Sequence, residues 1–360
     1  MSNKLFESYT LGRYELANKL VMAPMTRSRA MGNVPGELMA TYYGQRANAG
    51  LIITEGTSPS PNGLGYARIP GVFSQDQVNG WKLVTDAVHE KGGKIFVQIM
   101  HTGRVGHPLN LPEGAEIVAP SAVALPGQMY TDQEGPKDHP LAKEMTAEEV
   151  AAAVAEYVHA AKNAIEAGFD GIELHGANGY LIEQFIHPHT NRRTDDWGGS
   201  MEKRARFALE VATKTSEAIG KDRVGIRLSP YGAFNDMPQY PEIDEMYTYL
   251  AEKLGEIGIL YIHAVDHSPM GAPEVPASIK DAMRKAFSGT FILSGGYDAE
   301  RAAADLQASK GDLVAFGRPF LANPDLIDRF KAGAELNAPD MDTFYTPGPK
   351  GYTDYPELVK

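Results

Sequence analysis

Eight short apolar segments recur along the chain, and helical patterns separate many of them; no other feature restricts the possible folds as strongly. Most segments are rich in Val, Ile, Leu and Phe, as expected for strands that are buried on both faces. Eight evenly distributed strand–helix units predict an α/β fold, the closed (β/α)8 TIM barrel, with a doubly wound open sheet as the alternative. The predicted strands are Lys19–Met25, Leu51–Glu55, Lys94–Met100, Gly171–Leu174, Arg223–Leu228, Leu260–Val265, Thr290–Ser294 and Leu313–Phe316.

The best-defined helix is predicted between the third and fourth strands. Thr146 and Glu149 have the spacing of a capping box, and an amphipathic pattern follows them. Gly168 ends the pattern, so the helix is expected from about residue 147 to residue 167.

A single domain is expected over residues 1–360, because no linker, low-complexity tract or larger repeat interrupts the units. Residues 9–16 predict a β-hairpin, so that about residues 5–16 form a cap over the bottom of the barrel. An aromatic tail of about residues 337–360 is expected to dock on the barrel. Long irregular loops, which usually carry function, are predicted after three strands, at the C-terminal face. They are Thr102–Met145, Gly176–Ser200 and Pro230–Pro241.

Composition excludes several classes of function. A net charge of -12 disfavours nucleic acid as a partner. No apolar run approaches the length of about 18 residues that a membrane span needs, and the N-terminus lacks a hydrophobic signal region. Cysteine is absent, which excludes disulfides, iron–sulfur clusters and a cysteine nucleophile. A soluble cytoplasmic protein is expected, either a monomer or a small homo-oligomer.

Three polar side chains follow the fourth predicted strand within a few residues. His175 and Asn178 can both donate hydrogen bonds to one oxygen, and Tyr180 can donate a proton. The carboxyl ends of strands are where chemistry occurs in parallel α/β proteins. Taken alone, His175 also fits a structural histidine, but its two polar neighbours favour a catalytic site.

Polar residues also interrupt or end three other strands: Thr26, Gln98 and Arg227. A buried guanidinium is costly without an acceptor. The functional interpretation is a ligand with several acceptors across the barrel mouth. The alternative for Arg227 is an ion pair with Glu173. For Gln98, an internal hydrogen bond is as plausible as contact with a ligand.

Glycines follow the seventh and eighth strands, where barrels commonly bind phosphate. Gly295 and Gly296 allow backbone N–H groups to approach an anion, and Gly317 precedes Arg318, which can add a charge-assisted contact. The alternative is a pair of tight turns beside a surface arginine. No metal is expected, because no carboxylate pattern accompanies His187 and His189.

Six motifs spread over nearly the whole chain are recognisable as a set: Ala23-Pro-Met-Thr-Arg27, Gln98-Ile-Met-His-Thr-Gly-Arg104, His175-Gly-Ala-Asn-Gly-Tyr-Leu181, Asn191-Arg-Arg-Thr-Asp-Asp-Trp-Gly-Gly199, Ala315-Phe-Gly-Arg318 and Gly351-Tyr-Thr-Asp-Tyr-Pro356. With them the chain resembles the Old Yellow Enzyme family of FMN-dependent ene-reductases, particularly the bacterial branch of N-ethylmaleimide reductase and pentaerythritol tetranitrate reductase.

The resemblance implies a tightly bound, non-covalent FMN. Thr26 would hydrogen-bond the flavin O4 region, Gln98 would contact the pyrimidine edge, and Arg227 would lie beside N1 and O2. The other implied cofactor contacts are the backbone of Ala23, Pro24 and Gly56 along the ring system, and Gly295, Gly296, Gly317 and Arg318 around the phosphate.

The resemblance also implies a substrate site. His175 and Asn178 would bind the carbonyl or nitro oxygen, Tyr180 would donate the proton, and Tyr66 and Tyr345 would line the pocket. One departure lies in this pocket: Met100 stands where the close bacterial relatives carry tryptophan, which predicts a roomier pocket. The His175–Asn178 pair is a second departure, because some members carry a histidine pair there.

The implied activity is NAD(P)H-dependent alkene reduction, with NADPH or NADH as reductant. The expected substrates are electrophilic alkenes, namely α,β-unsaturated carbonyl, imide and nitro compounds, with nitro and nitrate ester compounds as further candidates. The residues alone also allow a phosphate-dependent barrel lyase or isomerase, and a flavin-storing or ligand-sensing protein without turnover. Only flavin makes the protein yellow, and only an enzyme consumes NAD(P)H with an enone.

Overall fold

Eight parallel strands close into a barrel in the computed structural model, which describes residues 4–358. Each strand pairs with the next one in the chain, and the eighth pairs with the first through Val314 and Leu20. The predicted (β/α)8 barrel is confirmed, and the open sheet is wrong. The barrel strands are Leu20–Met22, Leu51–Thr57, Ile95–Ile99, Gly171–Gly176, Val224–Leu228, Tyr261–Val265, Thr290–Ser294 and Leu313–Phe316.

Helices surround the barrel, and their apolar faces pack on the outer side of the strands. The helices are Glu37–Gln45, Gln75–His89, Ala147–Glu166, Leu181–Ile186, Met201–Ile219, Ile243–Ile257, Ala277–Ala286, Ala299–Gln307, Arg318–Ala322 and Leu326–Ala332. Among the described residues, none of them has both the length and the apolar character needed to cross a membrane.

The capping box predicted at residue 146 is confirmed. The Thr146 hydroxyl accepts a hydrogen bond from the Glu149 backbone N–H, and the Glu149 carboxylate accepts one from the Thr146 N–H. Together they satisfy two backbone donors that would otherwise lack a helical partner. The helix ends at Glu166, and Gly168 follows with φ 93°.

Replacing Thr146 with Ala is expected to lower the free energy of unfolding by about 1 kcal/mol, because the substitution removes one N-cap hydrogen bond. Urea unfolding at saturating FMN measures the change. Lys162→Ala, on an exposed position of the same helix, is the control and should change stability by less than about 0.5 kcal/mol. Equal losses in the two variants would contradict the assigned role of the cap.

A β-hairpin of strands Tyr9–Leu11 and Tyr14–Leu16 lies against the N-terminal ends of the barrel strands. The Tyr9 hydroxyl lies 2.8 Å from Thr290 Oγ1, and the Tyr14 hydroxyl donates to the carbonyl of Asp170 at 2.5 Å. The hairpin leucines, Leu11 and Leu16, pack into the apolar cluster that fills the lower barrel. The hairpin therefore closes the end of the barrel opposite the site described below.

The long connections at the C-terminal face contain more structure than the sequence indicated. The connection after the third strand includes the antiparallel pair Gln128–Thr131 and Gly135–Asp138, and a short parallel pair, Val118–Ala119 with Lys143–Glu144. The helix Leu181–Ile186 lies within the connection after the fourth strand. These elements are short, and their patterns are too brief to distinguish from irregular loop.

The tail contacts the barrel through a buried arginine. Arg29 donates hydrogen bonds to four tail carbonyls, those of Thr343, Phe344, Gly348 and Lys350. Tyr352 stacks on Tyr42 with ring centroids 4.0 Å apart. Residues 359–360 of the predicted tail lie outside the described residues.

Candidate active site

The fourth strand carries the first candidate residue at its end. The strand runs to Gly176, two residues beyond the predicted end, so His175 is within the strand and not after it. In the strand register, His175 lies beside Arg227 of the fifth strand, and Arg227 lies beside His263 of the sixth. The pairing brings these three side chains together at one level of the barrel.

The local bonds of His175 determine which of its nitrogens can donate. Its Nδ1 accepts a hydrogen bond from the backbone N–H of Ala177 at 3.3 Å. Burial, and then the nearby Arg227, lower the pKa of His175 well below its ordinary value. A neutral imidazole with an accepting Nδ1 carries its proton on Nε2. His175 therefore offers Nε2–H as a donor to a ligand.

The Asn178 backbone is held by hydrogen bonds at both its N–H and its carbonyl group. Its N–H donates to Ser229 Oγ at 3.0 Å, and its carbonyl accepts from the Asn235 side chain at 2.7 Å. Its φ of 61° lies in the left-handed region, which asparagine tolerates better than most residues. The side-chain oxygen accepts from His267, and the side-chain nitrogen has no partner within residues 4–358.

Tyr180 lies next to His175, with ring centroids 4.8 Å apart. Its hydroxyl lies 2.9 Å from the hydroxyl of Tyr66. Burial, and then Tyr66, raise the pKa of Tyr180 well above its ordinary value, and burial raises that of Tyr66 to about 12. Both phenols are therefore protonated at neutral pH, and Tyr180 can serve as an acid.

Arg227 and Gln98 differ in whether the described residues supply hydrogen-bond partners for their side chains. Glu173 accepts hydrogen bonds from Gln98 Nε2 at 2.8 Å and from His263 Nδ1 at 2.9 Å. It makes no ion pair with Arg227, so that alternative is wrong; the internal hydrogen bond of Gln98 is present. Arg227 Nε is buried and has no partner among the described residues. A buried cation in this state fits a ligand that supplies acceptors.

Two backbone segments carry the remaining cofactor residues predicted from the sequence, one after the first strand and one in the second strand. Ala23 continues from the first strand and donates its N–H to the Phe316 carbonyl at 3.0 Å. Pro24 is buried, and Thr26 is partly exposed. Gly56 lies beside Gln98 in the register. The strand pairing therefore places the Gly56 backbone next to Gln98.

Glycine is required at the turn after the seventh strand. Gly295 has φ 131°, and a Cβ atom there would collide with the carbonyl oxygen of Asp266. Gly296 also has a positive φ, of 61°. Gly317 follows the eighth strand, and the Arg318 side chain next to it is exposed, with no hydrogen bond or ion pair to residues 4–358. The free guanidinium and the closely approached backbone fit a phosphate.

The predicted pocket residues differ in burial. Met100 is buried in the apolar cluster that contains Tyr180, with Tyr66 packed against it, and its sulfur lies against Gly56. Tyr345 is 60% exposed. The tail nevertheless brings Tyr345 close enough to influence the pKa of both other tyrosines. Lining of the pocket by these residues stays a prediction.

The histidines considered for a metal have other partners. His187 Nε2 lies 2.7 Å from the Pro238 carbonyl, and His189 Nε2 lies 3.0 Å from Asp236. Within residues 4–358, no group of three or more His, Asp or Glu side chains is arranged to hold a metal ion.

The sequence interpretation missed two histidines of this site. His263 binds Glu173, and His267 contacts Asn178. Both lie in or just after the sixth strand, so a search for polar residues at the ends of all eight strands would have found them.

Comparison with known proteins supports a flavin site. The model of the NADH:flavin oxidoreductase / NADH oxidase family matches residues 4–337. A probable flavin mononucleotide-dependent alkene reductase of Leishmania infantum is 44% identical over 353 residues, 96% of this chain and 95% of that protein. The 12-oxophytodienoate reductase 7 of Oryza sativa subsp. japonica is 40% identical over 98% of this chain and 94% of its own. The solved structure of morphinone reductase matches with TM-score 0.95 and 45% identity, over 99% of this chain and 97% of that one.

Proposed function

The chain belongs to the Old Yellow Enzyme family of FMN-dependent NADH:flavin oxidoreductases and alkene reductases, and from this premise we propose that it reduces the activated C=C bond of α,β-unsaturated carbonyl, imide and nitro compounds. Family membership makes the lyase or isomerase alternative wrong. Nitro and nitrate ester compounds are proposed as further substrates, and NADPH or NADH as reductant.

One observation carries the proposal. A neutral histidine, an asparagine and a protonated phenol meet at one end of the barrel, and the histidine Nε2–H and the asparagine amide N–H have no partner among residues 4–358. Two neutral donors can bind a carbonyl or nitro oxygen without protonating it, and the phenol beside them can protonate carbon. A flavin-storing protein has no use for such an acid.

The residues present fit FMN. Arg227, whose buried Nε has no partner in the described part of the chain, and Gln98 would hold the pyrimidine end, with Thr26 near the O4 region. The backbone of Ala23, Pro24 and Gly56 would border the ring system. Gly295, Gly296, Gly317 and Arg318 would hold the phosphate. Bound FMN would supply the hydride chemistry that links NAD(P)H to the β-carbon of the substrate.

The protein's own groups act on the substrate. His175 Nε2–H and the Asn178 amide N–H donate to the substrate oxygen and stabilise the negative charge that grows on it during reduction. Because that charge is larger in the transition state than in the bound substrate, these donors lower the activation free energy of the reduction. Tyr180 then delivers its proton to the α-carbon.

Arg318→Ala tests the phosphate assignment. The substitution removes a charge-assisted hydrogen bond, worth roughly 1.5–3 kcal/mol, so FMN affinity should fall by about tenfold or more while the barrel stays folded. Fluorescence titration of the apoprotein with FMN measures it. Arg13→Ala removes an equal charge at the opposite end of the barrel and should leave the affinity unchanged. Full flavin occupancy of Arg318→Ala after extensive dialysis would contradict the assignment.

Activity itself is tested with the purified holoenzyme. We expect the visible absorbance of bound flavin, its loss on anaerobic addition of NADPH or NADH, and its return when an enone is added. A panel of enones, maleimides and nitro compounds, assayed with both reductants, then defines the substrate range. Flavin that is reduced by neither nucleotide, or reduced flavin that no member of the panel reoxidises, would contradict the proposed activity.

A further inference from the structure

His267 contacts Asn178, one of the two proposed oxygen-binding residues. It follows the sixth strand, and its Nε2 lies 2.6 Å from Asn178 Oδ1. Its ring packs edge-on against Phe234, with centroids 4.5 Å apart. His267 and Asn178 are 89 positions apart in the chain, so the contact depends on the barrel bringing the fourth and sixth strand ends together.

The contact selects one of two orientations of the Asn178 amide. The backbone of Asn178 is fixed by Ser229 and Asn235, as described above, so rotation of the side-chain amide is the remaining freedom. With Oδ1 toward His267, the amide N–H groups are free for a ligand. With the amide reversed, Oδ1 would face the ligand and repel an electron-rich oxygen.

The imidazole can hold the productive orientation only as a donor. Burial, and then the positive charge of Arg227, lower the pKa of His267 to about 3, so the ring is neutral at physiological pH. A neutral ring has one N–H, and a donor bond to Asn178 Oδ1 requires that proton on Nε2. No described residue favours the other tautomer by accepting a hydrogen bond from Nδ1.

We propose that His267 is a positioning residue of the active site, which donates Nε2–H to Asn178 Oδ1 and thereby directs the Asn178 amide N–H toward the substrate oxygen. The inference rests on the proposed function, because it takes Asn178 as a donor to substrate. It adds a residue that acts through Asn178 and does not itself touch the substrate or the flavin.

Two substitutions separate the donor role from simple packing. His267→Phe keeps a ring against Phe234 but removes the donor. His267→Gln loses the ring but can place an amide N–H close to the position of imidazole Nε2. The donor role predicts that Gln retains function and Phe loses it, whereas a packing role predicts the reverse.

The measured quantity is the dissociation constant of phenol for the oxidised holoenzyme, obtained from the absorbance change when phenol stacks against the flavin. We expect phenol to bind about 3- to 10-fold more weakly to His267→Phe, as for the loss of one neutral hydrogen bond. Binding to His267→Gln should stay within about twofold of the unsubstituted enzyme, and bound FMN should be equal in all variants. In an Asn178→Ala background, His267→Phe should have no further effect.

The outcomes distinguish the inference from its premise. If Asn178→Ala leaves both phenol binding and enone turnover unchanged, the proposed role of Asn178 fails. If Asn178→Ala weakens binding but His267→Phe does not, or if His267→Gln is the more impaired variant, the positioning role of His267 is overturned while the proposed function stands. An undiminished effect of His267→Phe in the Asn178→Ala background would also overturn it.

Discussion

Tyr180→Phe is expected to slow enone reduction by about 10²–10⁴-fold, the usual contribution of a positioned general acid. Burial keeps the Tyr180 phenol protonated, and its ring lies against His175, one of the two proposed oxygen donors. Reduction of the flavin by NAD(P)H needs no acid of this kind, so that half-reaction should keep its rate. Stopped-flow measurement of the two half-reactions separates the effects.

Tyr66→Phe is the matched control, because it removes the other hydroxyl of the Tyr66–Tyr180 hydrogen bond, and Tyr66 is not the proposed proton donor. It should slow enone reduction far less than Tyr180→Phe. Nitroalkenes should be less sensitive to Tyr180→Phe than enones, because a nitronate is stable enough to be released and protonated by water. If Tyr180→Phe instead slows flavin reduction and spares enone reduction, Tyr180 positions the nicotinamide and the proton has another source.

Replacing both His175 and Asn178 with Ala is expected to cost on the order of 3–4 kcal/mol at the transition state of enone reduction, or about 10²–10³-fold in rate. The variant should keep its FMN, because neither residue is proposed to bind the flavin. Phenol titration should lose its absorbance change, and single-turnover enone reduction should slow.

The control for the double variant is His159→Ala, which removes an exposed histidine from the outer helix Ala147–Glu166. It should leave the phenol titration and the enone rate unchanged. Equal behaviour of the double variant and the control would falsify the proposed oxygen-binding role. A double variant that loses FMN would show instead that the two residues support the cofactor site.

The sequence determined the barrel, because the signals for it are local. Strands buried on both faces are mostly apolar, so all eight were located to within three residues at each end. The capping box at Thr146 and Glu149 could also be predicted from the sequence, because a cap is a contact between residues three positions apart. The motifs likewise identified the family, which the comparisons confirmed. The roles of the individual site residues stay predictions.

Only the tertiary structure decided how the polar side chains are paired. Which partners Glu173 takes depends on strand register and on which side chains meet across the barrel. Glu173 binds Gln98 and His263, and Arg227 Nε has no partner within residues 4–358. The contact of His267 with Asn178 is of the same kind. Hydrophobic periodicity shows that a residue is buried, but the pairing of buried polar groups is set by distances of a few ångströms between distant parts of the chain.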